Sequence, residues 1–393
     1  MNKKTSVYER LGVRRVINAR SYATRMGGSL MLPEVVEAMA EAAKSFVRIE
    51  ELQLAAGERL AEITGAEAGW VTSGAAAGLT LGAAACIAGM DPDIMDRLPG
   101  TEGIANECLV MDGHGTAYDH AMRTAGAKIA QAGATLETLK ASVTKRTALV
   151  FYLAESRTDA PTLREVAQTA HECALPVLVD ASAELPPVTN LKRFIDDGAD
   201  LVAFSGGKGL RGPQCSGMLV GRKTLILSAA LQHQDMDVKD STWPWRHLLE
   251  DGSLTRPPRH GIGRPMKVGK EEIVGLVVAL EAYLERDHEA DLLKWHDTAR
   301  TIAKRLSELS GISATYVFPT GSGRPVPAVN IVVDQDVSTK NAVEIVHQLQ
   351  DGEPSIALYE GHADQGRLMI YPECLLEGDA DIIVSRFGES LSM

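Results

Sequence analysis

The sequence predicts an α/β protein: a mostly parallel sheet with helices on both faces, followed by a smaller α+β domain. Through the first two thirds, short β-branched runs (AGWVTS, NECLVM, RTALVFYL, LPVLVD, ADLVAFS, SGMLVG) alternate with helical segments such as TLETLKASV and LREVAQTAHEC. Such alternation needs crossover connections, and therefore parallel strands covered on both sides. From Lys270 the pattern changes to helical spacing across residues 270–309, with ERDHEAD as a turn or kink. Strands then return (ISATYVF, AVNIVVD, SIALYE, GRLMIYP), with the helix NAVEIVHQLQ among them and another helix after them. The expected division is an N-terminal segment and large domain over residues 1–268, then a long linking helix and small domain over 269–393.

Composition narrows the function. The 393 residues carry 40 Lys+Arg against 52 Asp+Glu, a net charge of −12. A chain this acidic, with no basic tail, is a poor partner for phosphate backbones, whose binding relies on cationic side chains releasing counterions. No nucleic-acid partner is expected. The five cysteines, Cys86, Cys108, Cys173, Cys215 and Cys374, are scattered without a C-x-x-C pair, which argues against a disulfide framework or a cysteine zinc site. The amino terminus has basic residues but no apolar run behind them, and the apolar stretch at 77–90 is too short to span a bilayer. The expectation is a cytoplasmic protein with no membrane partner and no metal.

Familiar nucleotide and hydrolase motifs fail on inspection. A phosphate-binding loop of the G-x-x-x-x-G-K-[ST] type would need glycine at Val202 and Ser or Thr at Gly209. The G-x-G-x-x-G pattern begins at Gly113 and Gly115 but meets Tyr118 in third place. His288 and His296 are too far apart for a zinc protease helix, and there is no G-x-S-x-G elbow.

Three sites remain, and they fit one cofactor. First, the strand GWVTS runs into a helix whose first turn is Ser73, Gly74 and Ala75. Free amides and small side chains there suit a phosphate, although Ser73 could instead simply cap the helix. Second, LPVLVD ends in Asp180, followed by Ala181 and Ser182. A carboxylate at the carboxyl end of a parallel strand lies where such sheets bind ligands and can keep a pyridine nitrogen protonated, yet an aspartate there is also a common turn residue. Third, ADLVAFS ends at Ser205 and runs through two glycines to Lys208, with Gly209 behind. Those glycines leave room for a bulky adduct and permit unusual backbone angles. A desolvated amine there can form an imine and later act as a base, whereas a solvated loop lysine would do neither. A phosphate cup, an aspartate and a lysine in that order suit pyridoxal 5'-phosphate.

The stretches NARSYATRMGGSLMLPEV, TSGAAAGLTL, YDHAMRTAGA, VDASAELPP, SGGKGLRGPQCSGMLVG and GRPMKVGKEEIVGL resemble the bacterial selenocysteine synthase-like branch of the fold-type I pyridoxal-phosphate enzymes. Within that branch they are most similar to the D-glucosaminate-6-phosphate ammonia-lyases. The similarity spans nearly the whole chain, and SGGKGLRGPQ and GRPMKVGKEE are its most specific blocks. It implies a mostly parallel seven-stranded sheet in the large domain. It also implies a Schiff base on Lys208, a ring-nitrogen partner in Asp180, and phosphate binding near Ser73, Gly74, Ala75 and Ser205.

Further candidates follow from position. Ser182 belongs with the cofactor group. His114 could stack on the pyridine face, with His120 as rival and a structural role as alternative. Arg264, Lys267 and Lys270 form a basic group suited to an anionic substrate or to a phosphate across a dimer interface, or else a solvated run before a helix. Arg367 could clamp a substrate carboxylate bidentately, or lie on the surface.

The expected activity is β-elimination of a small anionic 2-amino-3-hydroxy acid, giving a 2-oxo acid and ammonia, in a homodimer or higher oligomer with shared sites. Seryl-tRNA selenium transfer is the alternative within the branch. The short stretch before NARSYATR leaves little room for a tRNA-binding domain, and the acidic balance points the same way. A transaminase or aldolase also shares the cofactor motifs, and a catalytically silent cofactor-binding protein is the reading from outside enzymology.

Overall fold

The computed structural model describes residues 6–154, 160–320 and 324–392. The chain forms two compact units, Met31–Glu285 and a second built from the chain up to Leu30 together with the chain from Arg286. In the first unit lie β2 (Ala68–Thr72), β3 (Glu107–Val110), β4 (Lys128–Gln131), β5 (Thr147–Leu153), β6 (Val177–Asp180), β7 (Leu201–Ser205) and β8 (Gly217–Gly221). They make a seven-stranded sheet in the order β2-β8-β7-β6-β5-β3-β4, in which β8 runs antiparallel to both neighbours and the other pairings are parallel.

The alternation of side chains across the pleat explains why the central runs are apolar throughout. Val150, Val177, Val179, Val202 and Phe204 enter one core. Leu149, Phe151, Leu178, Leu201 and Ala203 enter the core on the opposite face. Both faces are covered, so no position on these strands is left for a polar residue until the strand ends.

Two helices approach the sheet closely because their contact residues have no side chain. Helix Ala75–Ala88 has a run of small residues, and a Cβ on its Gly82 would lie 2.8 Å from Leu178 Cδ1. Helix Ile49–Thr64 meets β2 backbone to backbone: a Cβ on Gly57 would lie 2.2 Å from the carbonyl oxygen of Gly69. The same helix supplies Gln53, whose amide nitrogen donates to Val71 O (3.0 Å) while its oxygen accepts from Val71 N–H (3.1 Å). Gln53 is 1% exposed and satisfies two backbone groups on the edge strand β2.

The second unit contains β1 (Val16–Ala19), β9 (Ile312–Val317), β10 (Ala328–Val333), β11 (Ser355–His362) and β12 (Arg367–Ile370), ordered β1-β11-β12-β10-β9. β1 pairs in parallel with β11, from Val16 opposite Ser355 to Ala19 opposite Leu358. Its core gathers Ile17, Ile331, Ile356, Leu368 and Phe387 beneath helices His288–Leu306, Ala342–Asp351 and Asp379–Ser392.

This division differs from the expected boundary at 268/269 on both sides. Helix Lys270–Glu285 buries Ile273, Leu276, Leu280 and Tyr283 in the first unit's core, and the chain breaks helix at Arg286–Asp287, inside ERDHEAD. The amino-terminal strand belongs to the second unit through a pairing with the far end of the chain, which leaves no local trace in the sequence. Among the described residues no helix is long and apolar enough to cross a membrane.

Candidate active site

The loop leaving β7 is held shut by its own backbone. Gly206 N–H donates to Ser216 O (2.9 Å), Gly212 N–H to Gly206 O (2.9 Å) and Arg211 N–H to Lys208 O (3.0 Å). The glycines are required by contact rather than by dihedral angle. A Cβ on Gly206 would lie 2.0 Å from Ser216 Oγ, on Gly207 2.7 Å from Gln214 Cα, and on Gly209 2.3 Å from Leu185 O. None of the three has a positive φ; in this loop it is Arg211 that does, at 58°. The expectation that these glycines supply unusual backbone angles is therefore corrected: they let the lysine loop lie directly on its neighbours.

Lys208 is half-buried on this loop, and its Nζ donates to Ser182 Oγ (3.2 Å). Ser182 in turn donates its backbone N–H to Asp180 Oδ1 (2.9 Å). Asp180, the last residue of β6, is 5% exposed. Among the described residues no cationic side chain pairs with it. A buried carboxylate is costly unless its charge is compensated, so the position of Asp180 suits a group that brings positive charge.

One strand over, Leu153 is the register partner of Asp180, and its backbone meets His114 Nδ1 (3.2 Å). His114 is 1% exposed, and its ring lies 4.4 Å from that of Tyr152. His120 is exposed on helix Asp119–Thr124. Of the two histidines, His114 is the one held beside the strand next to Asp180.

The remaining cofactor candidates meet at Gly217. In the sheet this residue stands between Thr72 and Ser205, and a Cβ on it would lie 2.6 Å from Gly74 C and 2.8 Å from Ala75 N. The helix starts at Ala75, with Gly74 as its N-cap at φ 133°, a conformation open to glycine. No side chain caps it, so Ser73 lies outside the first turn and does not take the capping role. Thr72 Oγ1 donates to Gly74 O (2.9 Å) and fixes the peptide from below. First-turn amides with no side-chain cap, and a buried carboxylate with no cationic partner among the described residues, suit a group with a phosphate and a protonatable ring nitrogen. Sequence reasoning missed Thr72 and Gly217, whose contribution is visible only once β2, β7 and β8 are side by side.

The basic group makes its polar contacts elsewhere. Arg264 Nη2 pairs with Asp235 Oδ2 (2.8 Å), and Lys270 pairs with the adjacent Glu271. Lys267 is exposed and forms no ion pair among the described residues. Arg264 and Lys267 border a cavity of about 220 Å³ together with Trp70, Trp243 and Gln53, at the β2 edge. Nearby, Asp235, Asp237 and His260 cluster at the surface. His260 Nδ1 accepts Met236 N–H (3.3 Å), which leaves the ring proton on Nε2, facing Asp237 Oδ1 (3.2 Å). That arrangement is a hydrogen-bonded surface group whose imidazole presents a proton to the carboxylate rather than a lone pair. Arg367, in the second unit, is exposed and donates to Gln365 Oε1 (2.6 Å).

A lysine on the loop after β7, an aspartate ending β6 and an uncapped helix after β2, on a seven-stranded sheet with one antiparallel strand, define an α/β enzyme of the fold-type I class. The comparisons make the assignment narrower. The family model described as SelA, L-seryl-tRNA selenium transferase, matches residues 16–237, more than half of the chain. This chain belongs to that family. The 5'-C-glycyluridine monooxygenase-decarboxylase of a Streptomyces species is 32% identical over 98% of this chain and 92% of its own. The D-glucosaminate-6-phosphate ammonia lyase of Salmonella typhimurium is 31% identical over 98% and 97%. A solved structure of D-glucosaminate-6-phosphate ammonia-lyase superposes with a TM-score of 0.80 at 30% identity, covering 100% of this chain and 99% of that one.

Proposed function

We propose that this chain is a pyridoxal 5'-phosphate-dependent ammonia-lyase that performs β-elimination on a 2-amino-3-hydroxy acid, D-glucosaminate 6-phosphate or a related sugar amino acid. The observation that carries the reading is the buried Asp180 at the carboxyl end of β6, joined through Ser182 to Lys208 on the loop after β7. The full-length likeness to a lyase named for that substrate supports the substrate class.

When bound, the cofactor supplies an aldehyde that captures amines and a protonated ring that withdraws electrons from the α-carbon. Asp180 would hold the protonated ring nitrogen, and the amides after Gly74, with Ser73 and Ser205, would hold the phosphate. His114 would cover one ring face. Lys208 would anchor the cofactor and then accept the α-proton on Nζ, while the β-hydroxyl departs with a proton. Lys267 and Arg367 are the candidates for the substrate's anionic groups, because Arg264 and Lys270 already have carboxylate partners. The reading includes a homodimer or larger assembly with shared sites, in which the exposed Lys267 would reach a neighbouring site. Mixing inactive Lys208→Ala and Lys267→Ala subunits should restore part of the activity if it does reach a neighbour. The free cysteines are compatible with a cytoplasmic setting.

The test is ammonia release from a panel of 2-amino-3-hydroxy acids, including D-glucosaminate with and without the 6-phosphate and with no added 2-oxo acid. Equal yields of ammonia and 2-oxo acid over many turnovers are expected. A single turnover that resumes on adding a 2-oxo acid would make the protein an aminotransferase. The monooxygenase-decarboxylase relative, equally similar, motivates one second reading, and oxygen uptake with carbon dioxide release in the same panel would favour it.

A further inference from the structure

A lysine that removes a proton from carbon must present its lone pair to that carbon. Its amine turns on a flexible four-carbon stem, and nothing in the stem selects one direction. In this chain the amine donates an N–H to Ser182 Oγ (3.2 Å), and a hydrogen bond at Nζ restricts rotation about the terminal C–N bond, so it limits the directions open to the lone pair once the amine is neutral. Ser182 is itself fixed twice. Its backbone N–H is bonded to Asp180 Oδ1 (2.9 Å), and the segment that carries it lies against the lysine loop so closely that a Cβ on Gly209 would be 2.3 Å from Leu185 O.

We propose that Ser182 is a positioning residue for the Lys208 amine during proton transfer, holding the base in register with Asp180. This rests on Lys208 being the base of the proposed elimination. In the step concerned, the α-C–H bond breaks, the proton forms a new bond to the Nζ lone pair to give an ammonium, and the electron pair stays on the substrate. Ser182 takes no part in that bond exchange; it sets the direction from which Nζ receives the proton. The role differs from the cofactor-holding one expected from sequence, since the hydroxyl is directed at the amine.

The experiment compares Ser182→Ala with Ser182→Thr, which keeps the hydroxyl, after thermal melting has shown both to be folded. In cofactor-free protein, capture of Lys208 by pyridoxal, fixed with borohydride and mapped by peptide, should slow about fivefold in the alanine variant and recover in the threonine variant. In loaded enzyme, kcat should fall about tenfold with KM nearly unchanged, and the deuterium isotope effect from the α-position should rise. The dissociation constant for the cofactor should stay within about twofold of the parent value. Unchanged capture and kcat in Ser182→Ala would overturn the proposal, and loss of cofactor affinity would make Ser182 a cofactor contact instead. If the parent protein is not labelled at Lys208, the base assignment fails first and the proposal falls with it, an outcome visible before any variant is compared.

Discussion

Two buried aspartates at opposite ends of neighbouring strands differ in what the protein sets around them. Asp200 precedes β7 at the amino end of the sheet and is 4% exposed. Arg222 Nη1 reaches Oδ1 at 2.9 Å, while His171 Nε2 and Val177 N–H reach Oδ2 at 2.8 Å each. The hydrogen bond to Asp200 in turn holds the Arg222 guanidinium above its ordinary pKa. Asp180 ends β6 at the carboxyl end, equally buried, with one N–H from Ser182 and no cation among the described residues. Asp200 is neutralised by the protein around it. Asp180 has no such cation among the described residues, which is why the proposed cofactor's ring nitrogen is assigned to it.

The largest expected effect falls on the amine of Lys208, on the loop after β7. Lys208→Ala should lower turnover by at least about 10⁴-fold with the melting temperature intact, read by ammonia release and calorimetry. Asp180→Asn should lower turnover on the order of 10²–10³-fold while changing stability by less than about 1 kcal/mol, because no cation pairs with it among the described residues and the amide oxygen can still accept the Ser182 N–H. Asp200→Asn should reverse that pattern. A stability loss of about 1–3 kcal/mol is expected in urea titrations, toward the lower part because Arg222 and His171 are half-exposed, with turnover per folded molecule preserved. Equal stability losses for the two aspartates would break the comparison.

The smallest effect concerns a buried imidazole without a carboxylate. Trp70 Nε1 donates to His233 Nδ1 (2.8 Å) and His233 Nε2 faces Met266 O (3.0 Å), while burial pushes the imidazole pKa down. The unfolded chain therefore takes up this proton first as the pH drops through about 6.5. Stability should be full above that pH and decline below it until the lowered native pKa is passed. His233→Gln should remove this part of the slope in melting temperature between neutral and mildly acidic pH.

Much of the large sheet was legible because its strands are continuous apolar runs buried on both faces, a pattern that survives without tertiary information. β4 was not, because Lys128 and Gln131 at its ends are exposed on an edge and break the run. β1 was not, because four residues carry no sign of which distant strand they join. At the site, strand ends and glycines pointed to Asp180, Ser205 and Lys208. The reason for the glycines was hidden, since it depends on Gln214, Ser216 and Leu185 arriving from the other side. The basic group read as an anion site because a sequence shows charges without their partners, and Asp235 and Glu271 claim two of the three.

The glutamine on the β2 edge has a consequence for how copies of this protein meet in a crowded solution. An open sheet edge is a template on which another chain can add a strand, and natural proteins block such edges to avoid fibrous association. By occupying both the N–H and the carbonyl of Val71 with one amide, Gln53 puts a stopper in the middle of the row. An incoming strand would have to displace a fully buried side chain, and the helix that carries it, before it could form a continuous ladder. One residue of a helix thus protects this edge of the sheet from pairing with another chain.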